Sequence, residues 1–353
     1  MTTILTTTGI SLYQNTKRTQ NTNVPTDDQM RQYLRQTPQA ASSEAKSLLQ
    51  IAELDDYLVL LHTQTSEAVT CAILLRDYFQ EKGYKHVNIV PLEFHGDAKH
   101  IETTGLRNLV NTLINEIEKA QRQGQEVVIN ATAGLKAQVV YSTMLGMIYH
   151  VPVKYIYEDF QSVVTFNPVA LDWDTTLFLT YNTFFKWVDD EARTQKQVEG
   201  YLEGYADAEY IKTFLTSPDS DNYVYLSYMG NALYQKFQRE EKEAENIDWP
   251  PSVDVENVEA KLSSSLSDRK HHSIKGSRMA CLKIAALGFV QQIIGDFFEN
   301  TTHTRLKSGP DGTFILLWAD NEKAERLTIY TTARGKLQTI KVAQKIKEVL
   351  EID

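Results

Sequence analysis

Cysteine is scarce in this chain: Cys71 and Cys281 are its only two in 353 residues. They lie far apart, each inside an apolar helical pattern. That excludes a disulfide scaffold and a zinc site as organising features, and both thiols are expected to be small buried hydrophobes. Long hydrophobic runs are missing as well. The apolar stretches around 134–149 and 279–298 are broken by polar or charged residues, so no membrane-spanning helix is expected. The start, Met1-Thr2-Thr3-Ile4-Leu5, lacks the basic n-region and apolar core of a signal peptide, and the expected compartment is the cytosol. Positive charge is not in excess: 36 Lys+Arg stand against 46 Asp+Glu, a net charge of −10, which argues against a protein that simply coats nucleic acid. There is no fixed-period repeat, no low-complexity tract, no Walker A sequence and no GxGxxG fingerprint.

The charge that is present is uneven. From Asp254 onward there are 15 Lys+Arg and 13 Asp+Glu, leaving 21 against 33 before it. An acidic body with a mildly basic last piece fits a C-terminal domain that touches phosphates. The length allows two or three domains. Up to about 175, strand and helix patterns alternate. Strands are expected at 2–8, 57–62, 87–94, 126–130, 153–157 and 162–166. Helices are expected near 26–36, 43–53, 66–82, 103–122 and 135–149. This alternation is that of a parallel, doubly wound α/β sheet. Ligands in such folds sit beyond the carboxyl ends of the strands, where strand order reverses. In the commonest order the first and fourth strands flank that reversal, which places Thr8-Gly9 and Asn130 beside one crevice.

After 175 the pattern turns helical, with helices expected over 177–192, 195–204 and 210–215. A strand, turn and helix then follow over 223–237, a winged-helix arrangement. Asp248-Trp249-Pro250-Pro251 is the linker candidate. The last part reads as a helix at 254–266, a basic loop at 268–276 and a helix at 277–298. Strands follow near 303–307, 313–320 and 326–332, with a final helix at 338–350. The expected organisation is therefore 1–175, a connector at 176–248 and a small α+β domain at 253–353.

Asn130-Ala131-Thr132-Ala133-Gly134-Leu135-Lys136 is a strand–turn–helix element. Gly134 lets a ligand or a second backbone approach closely. The first amides of the next helix attract anions. Thr132 adds a hydroxyl and Lys136 a positive charge. From the motif alone, a ligand site and an idle helix start both stay open.

Three stretches together resemble the CARF (CRISPR-associated Rossmann fold) domains of type III CRISPR ancillary proteins: Thr6-Thr7-Thr8-Gly9-Ile10-Ser11-Leu12, Leu61-His62-Thr63-Gln64-Thr65-Ser66-Glu67, and Asn130 through Ala137. Val151 through Phe160 is similar too. The family often has a second glycine where this chain has Ala133. The resemblance implies a Rossmann-like sheet in a homodimer that binds a cyclic oligoadenylate, with cyclic tetra-adenylate the expected ring, across its two-fold axis. Thr8, Gly9, Ile10 and Ser11 would line one side, and Asn130, Ala131, Thr132, Ala133, Gly134 and Lys136 the other. Thr63, Gln64 and Thr65 would contact bases. Ser11 and Lys136 would also serve a ring nuclease, in which the same loops cleave the ligand.

Many such relatives carry a HEPN ribonuclease, marked by an arginine four to six residues before a histidine. None of the eight histidines has one at that spacing. The order after 253 instead resembles the RelE-type mRNA interferases over about 100 residues, in His303 through Gly309, Phe314 through Trp318 and Leu327 through Arg334. That resemblance implies metal-free RNA cleavage by 2′-hydroxyl attack, on mRNA and possibly at the ribosome. Arg305, Lys307 and Arg334 would stabilise the phosphorane, and Tyr330, His272 and Lys275 would move protons or add charge. The family often has an arginine within the strand that here reads Phe314-Ile315-Leu316-Leu317. The expected function is a ligand-activated endoribonuclease without metal or other cofactor. The competing expectations are a winged-helix transcriptional regulator and a ring nuclease.

Overall fold

The computed structural model describes residues 1–93, 105–134, 136–156, 162–169, 176–253, 257–267 and 274–352. Two compact units divide the chain, Met1–Asp172 and Trp173–Asp353.

The first unit is built on β1 (Thr2–Thr8), whose β-branched residues are buried from Thr3 to Thr8 because strands flank it on both sides. The sheet comprises β1, β2 (Tyr57–Thr63), β3 (His86–Leu92), β4 (Glu126–Asn130), β5 (Val153–Tyr155) and β6 (Val164–Phe166), in the order β3-β2-β1-β4-β5-β6. The first five run parallel, and β6 pairs antiparallel with β5. Thr8 lies opposite His62 and Thr6 opposite Asn130, so β1 sits between β2 and β4 at the reversal of strand order.

The helices are α1 (Ser11–Thr19), α2 (Asp27–Gln36), α3 (Pro38–Ala41), α4 (Ser43–Ile51), α5 (Ser66–Glu81), α6 (Leu106–Arg122) and α7 (Lys136–Ile148). Helix α6 shows why such segments fold: Leu106, Leu109, Val110, Leu113, Ile114 and Ile117 recur at helical spacing and are all buried. The stretch 11–19, where no helix is among those expected, is helical too. Leu12 and Thr16, one turn apart, are its buried residues. Helices α1 to α5 share a core in which Leu12, Met30, Leu34, Leu48 and Phe79 meet Ile4, Leu58 and Leu60 of the sheet. Helices α6 and α7 pack on each other and on β4 and β5.

The second unit holds a four-stranded antiparallel sheet in the order β10-β11-β12-β9, from β9 (Val290–Glu299), β10 (Arg305–Ser308), β11 (Thr313–Ala319) and β12 (Ala324–Thr331). Asp320 closes the hairpin between β11 and β12, its amide donating to Lys323 O at 2.9 Å. Around the sheet lie α8 (Thr176–Thr180), α9 (Asn182–Asp190), α10 (Gln195–Leu202), α11 (Ala208–Lys212), α12 (Tyr228–Glu245), α13 (Ser264–Ser267), α14 (Ser277–Ala285) and α15 (Gly335–Leu350). A two-stranded ribbon pairs β7 (Arg193–Thr194) with β8 (Tyr223–Val224). Phe178, Phe185, Tyr234 and Phe237 form an aromatic core between α8, α9 and α12.

Three expectations need correction. The helix expected over 277–298 ends at Ala285. Residues 290–299 are instead β9, paired with β12. The helix expected over 177–192 is two helices broken at Tyr181, whose backbone leaves the helical region (φ −117°, ψ 32°). The helix expected over 254–266 is, in its described part, a 3₁₀ turn (Val258–Lys261) and the short α13. Between them Ser263 N donates to Ile293 O at 2.9 Å, tying the chain to β9.

The segment expected to be a free linker is tied down. Trp249 stacks on Phe289 with ring centres 5.6 Å apart, and Thr332 Oγ1 donates to Pro251 O at 2.6 Å. No helix among the described residues is long and apolar enough to cross a membrane.

Candidate functional site

The carboxyl ends of β1 and β4 bring two turns together. Thr7 Oγ1 donates to Ala133 O across the gap. A methyl group placed on Gly9 would sit 3.6 Å from Gly134 N, so the two glycines are near neighbours. Gly134 has φ +104°, and a side chain there would also run into Gln138 Oε1 at 2.1 Å. Glycine is thus favoured at 134 by its backbone conformation, and any larger residue would also have to displace the end of the Gln138 side chain.

The polar residues of the crevice divide into those that build it and those that face outward. Asn130 is a builder. Its Nδ2 donates to Ser47 Oγ at 2.8 Å, and its Oδ1 accepts from Thr132 Oγ1 at 2.7 Å. Thr132 Oγ1 then accepts from Ile156 N at 3.1 Å, joining β4 to the end of β5. Thr8, Ala131 and Ala133 are buried beside it. Gly9, Ile10, Ser11, Thr63 and Thr132 are half-buried, and Gln64, Thr65, Gly134 and Lys136 are exposed. Thr65 also caps α5, accepting from Ala68 N at 3.3 Å. Leu135 lies outside the described residues.

One residue of the crevice has no counterpart among the sequence candidates. Glu44, only 1% exposed, reaches under the β1 turn. Its Oε1 accepts from Gly9 N at 2.8 Å, and its Oε2 accepts from Ser11 Oγ at 2.5 Å and Ser42 Oγ at 2.6 Å. Ser11 Oγ in turn accepts from Ser43 N at 3.1 Å. The Gly9 amide and the Ser11 hydroxyl, expected to line one side of the ligand, are therefore already engaged by the chain's own carboxylate. The free polar surface shifts to Gln64, Thr65, Gly134 and Lys136, with Lys136 as its cation.

The described catalytic candidates of the second unit differ in burial and in partners. Arg305 is buried at the start of β10, only 3% exposed. Lys307 pairs with Asp207 at 3.0 Å. Burial pushes the Asp207 carboxyl up, but hydrogen bonds from Tyr181 and Lys307, with the nearby Arg305 charge, hold it below the usual carboxylate range. Tyr330, 39% exposed, shares a sheet face with Lys307 by strand register, and Arg334 is exposed at the start of α15. Lys275 is exposed, and its carbonyl accepts from Trp318 Nε1 at 3.2 Å. His272 lies outside the described residues.

Cys71 and Cys281 are fully buried, and burial pushes both thiols up to about 12, so neither is a reactive thiolate. Among the described residues, no group of three His, Cys, Asp or Glu side chains is placed to hold a metal ion.

One solved structure similar to the chain is protein VC1899 from Vibrio cholerae, at 9% identity, covering 94% of this chain and 77% of that one with a TM-score of 0.28. Residues 39–169 match the family described as CRISPR-associated protein (Cas_APE2256). That span includes Glu44, the Thr63–Thr65 turn and the whole Asn130–Lys136 element. The match supports a CRISPR-associated protein with a part in CRISPR defence.

Proposed function

We propose that the first unit is a CARF-type sensor of a cyclic oligoadenylate and that the second is a RelE-like ribonuclease switched on by it. The observation that carries the reading is the Gly9–Gly134 approach at the β1/β4 reversal, inside a unit largely spanned by a CRISPR-associated family match. The exposed set of Gln64, Thr65, Gly134 and Lys136 offers amide, hydroxyl, backbone and cationic contacts to bases and phosphates. A two-fold pair of such crevices suits a ring with internal symmetry. Val140 and Met144, exposed one and two turns beyond Lys136 on α7, give the apolar strip for a second copy. The engagement of Ser11 by Glu44 favours binding without cleavage of the ring, because the hydroxyl is already committed.

For the second unit the exposed candidates carry the chemistry. Arg334 would stabilise charge on the phosphorane formed when a 2′-hydroxyl attacks the adjacent phosphate, and Tyr330 would relay a proton. Arg305, which is buried, and Lys307, which is paired with Asp207, leave that role.

A translation reaction with ribosomes, run with each cyclic oligoadenylate in turn and with RNA ends mapped, tests the whole reading. Cyclic tetra-adenylate is expected to bind and to raise mRNA cleavage at least tenfold. Tyr330→Phe and Arg334→Ala are expected to lower cleavage by about 10²-fold without changing ring binding. Ring binding with no RNA cleavage under any condition would leave a sensor and discard the ribonuclease. Linearised ring as the sole product would make it a ring nuclease.

A further inference from the structure

Arg305 is out of place in the second unit. It is buried, yet its Nε and Nη1 meet no hydrogen-bond acceptor. Buried polar groups are rarely left so, and an unpaired buried charge is among the costliest arrangements in a fold. The nearby acid acts on it only through space: Asp207 Oδ2 pairs with Lys307 Nζ and accepts from the Tyr181 hydroxyl. The guanidinium instead stands over the Tyr205 ring, 5.7 Å from its centre.

Arg305 lines a cavity of about 280 Å³. Phe184, Tyr201 and Tyr205 give it an aromatic wall, in which Tyr201 also stacks on Trp187 and Tyr205 on His303, with ring centres 5.0 and 4.3 Å apart. Thr180 and Thr183 bring hydroxyls, and among the described residues Glu351 lines it as a carboxylate. The space is near the lower bound of small-ligand pockets, about 300 Å³. Nε and Nη1 are themselves sealed from the cavity, so the part of the guanidinium left to meet a bound group is Nη2. Neither Tyr330 nor Arg334 lines it, so it is separate from the surface assigned to RNA cleavage and does not rest on that assignment.

We propose that this cavity binds a nucleotide, its phosphate on the Arg305 guanidinium and its base against the Tyr201–Tyr205 wall. The guanidinium calls for an anion, the ring edges of the wall suit a flat base and the threonines suit ribose oxygens. Glu351 accepts from an exocyclic amino group, so adenine, guanine and cytosine are favoured over uracil. A free nucleotide and the phosphorylated end of an RNA strand present the same group.

The test is calorimetric binding and thermal unfolding of the full chain with AMP, UMP, adenosine, inorganic phosphate and a trinucleotide carrying a 3′-phosphate. AMP is expected to bind at least tenfold more tightly than UMP, adenosine or phosphate. A trinucleotide tighter than AMP assigns the strand end, and equal affinity assigns the free nucleotide. Arg305→Met keeps the side-chain volume and removes the unpaired charge. It is expected to unfold at a higher temperature than the parent without ligand and to lose AMP binding. Tyr205→Leu is expected to weaken AMP binding about tenfold in a folded chain. The proposal is overturned if no nucleotide binds at millimolar concentration, if binding survives Arg305→Met, or if Arg305→Met unfolds at a lower temperature than the parent.

Discussion

At the scale of single residues, Glu44 decides what the crevice can hold. A carboxylate accepting three hydrogen bonds in a buried site is well satisfied without a cation. Removing it strands the Gly9 amide and the Ser11 and Ser42 hydroxyls. Glu44→Ala is therefore expected to cost about 3 kcal/mol of stability in denaturant unfolding. Glu44→Gln should cost less, since one carbonyl oxygen still accepts. A loss below 1 kcal/mol for the alanine variant would mean that the turn does not depend on the carboxylate. The glycines make a second pair of tests. Gly134→Ala meets both a left-handed backbone and Gln138 Oε1, and is expected to cost about 1–3 kcal/mol and at least tenfold in ring binding. Gly9→Ala meets its neighbours at 3.6 Å or more, and its unfolding midpoint should be nearly that of the parent. Gly134 and Lys136 were legible in the sequence because a strand–turn–helix signal is local. Glu44 was not. It lies 35 residues from the Gly9 amide it binds and reads as an ordinary acid in the first turn of a helix. Asn130 was legible as a site residue, but its side chain turns out to be a pin within the fold.

At the scale of elements, local signals served the first unit well and failed where long-range pairing decides. Ile293-Ile294 and Phe297-Phe298 recur at helical spacing, so a helix over 277–298 follows from periodicity. Pairing with β12 overrides it, with a shift of register near Gly295. Lys261 gives the 254–266 misreading its physical reason. Its Nζ donates to Ala285 O and Leu287 O, at 2.9 and 3.2 Å, capping the end of α14, which a surface helix would not do. Helices α12 and α15 meet across a polar seam that carries its own pH dependence. Glu241 Oε1 accepts from Asn182 Nδ2 and Gln344 Nε2, both at 3.0 Å. Burial raises the Glu241 carboxyl above its ordinary 4.5, outweighing those two hydrogen bonds. A carboxyl raised by folding binds its proton more tightly in the native state. Its charge therefore weakens the fold above the folded pKa, and the penalty fades as pH falls toward 4.5. Glu241→Gln keeps an oxygen for both donors and removes the charge. It should unfold at a higher temperature than the parent at pH 7.5, with the gap closing as pH is lowered. A variant less stable than the parent at pH 7.5 would show that the ionised form is the favoured one.

At the scale of the whole molecule, the question is where the chain can be divided. The sequence suggests a cut near Pro250-Pro251, because proline pairs read as punctuation and charge changes sign there. The contacts argue for a cut only at 172. Lys341 Nζ donates to Glu245 O and Ile247 O at 3.0 and 2.6 Å, Lys336 pairs with Glu240 at 3.0 Å, and Lys347 Nζ donates to Leu179 O at 2.9 Å. Lys341 also stands 4.7 Å from the centre of the Trp249 ring. These bonds join α15 to the segment before 250, and none is a local signal that a single sequence displays. A fragment of 173–353 is expected to unfold in one cooperative transition. A fragment of 253–353 loses the Trp249–Phe289 stack and the bonds from Lys336, Lys341 and Lys347 to residues before 250. At roughly 1 kcal/mol for each lost hydrogen bond and about 4–8 °C per kcal/mol for a domain of this size, its midpoint should fall by more than about 10 °C relative to 173–353. Equal midpoints for the two fragments would mean that the last hundred residues are a separate domain, with the polar seam a surface it can lose.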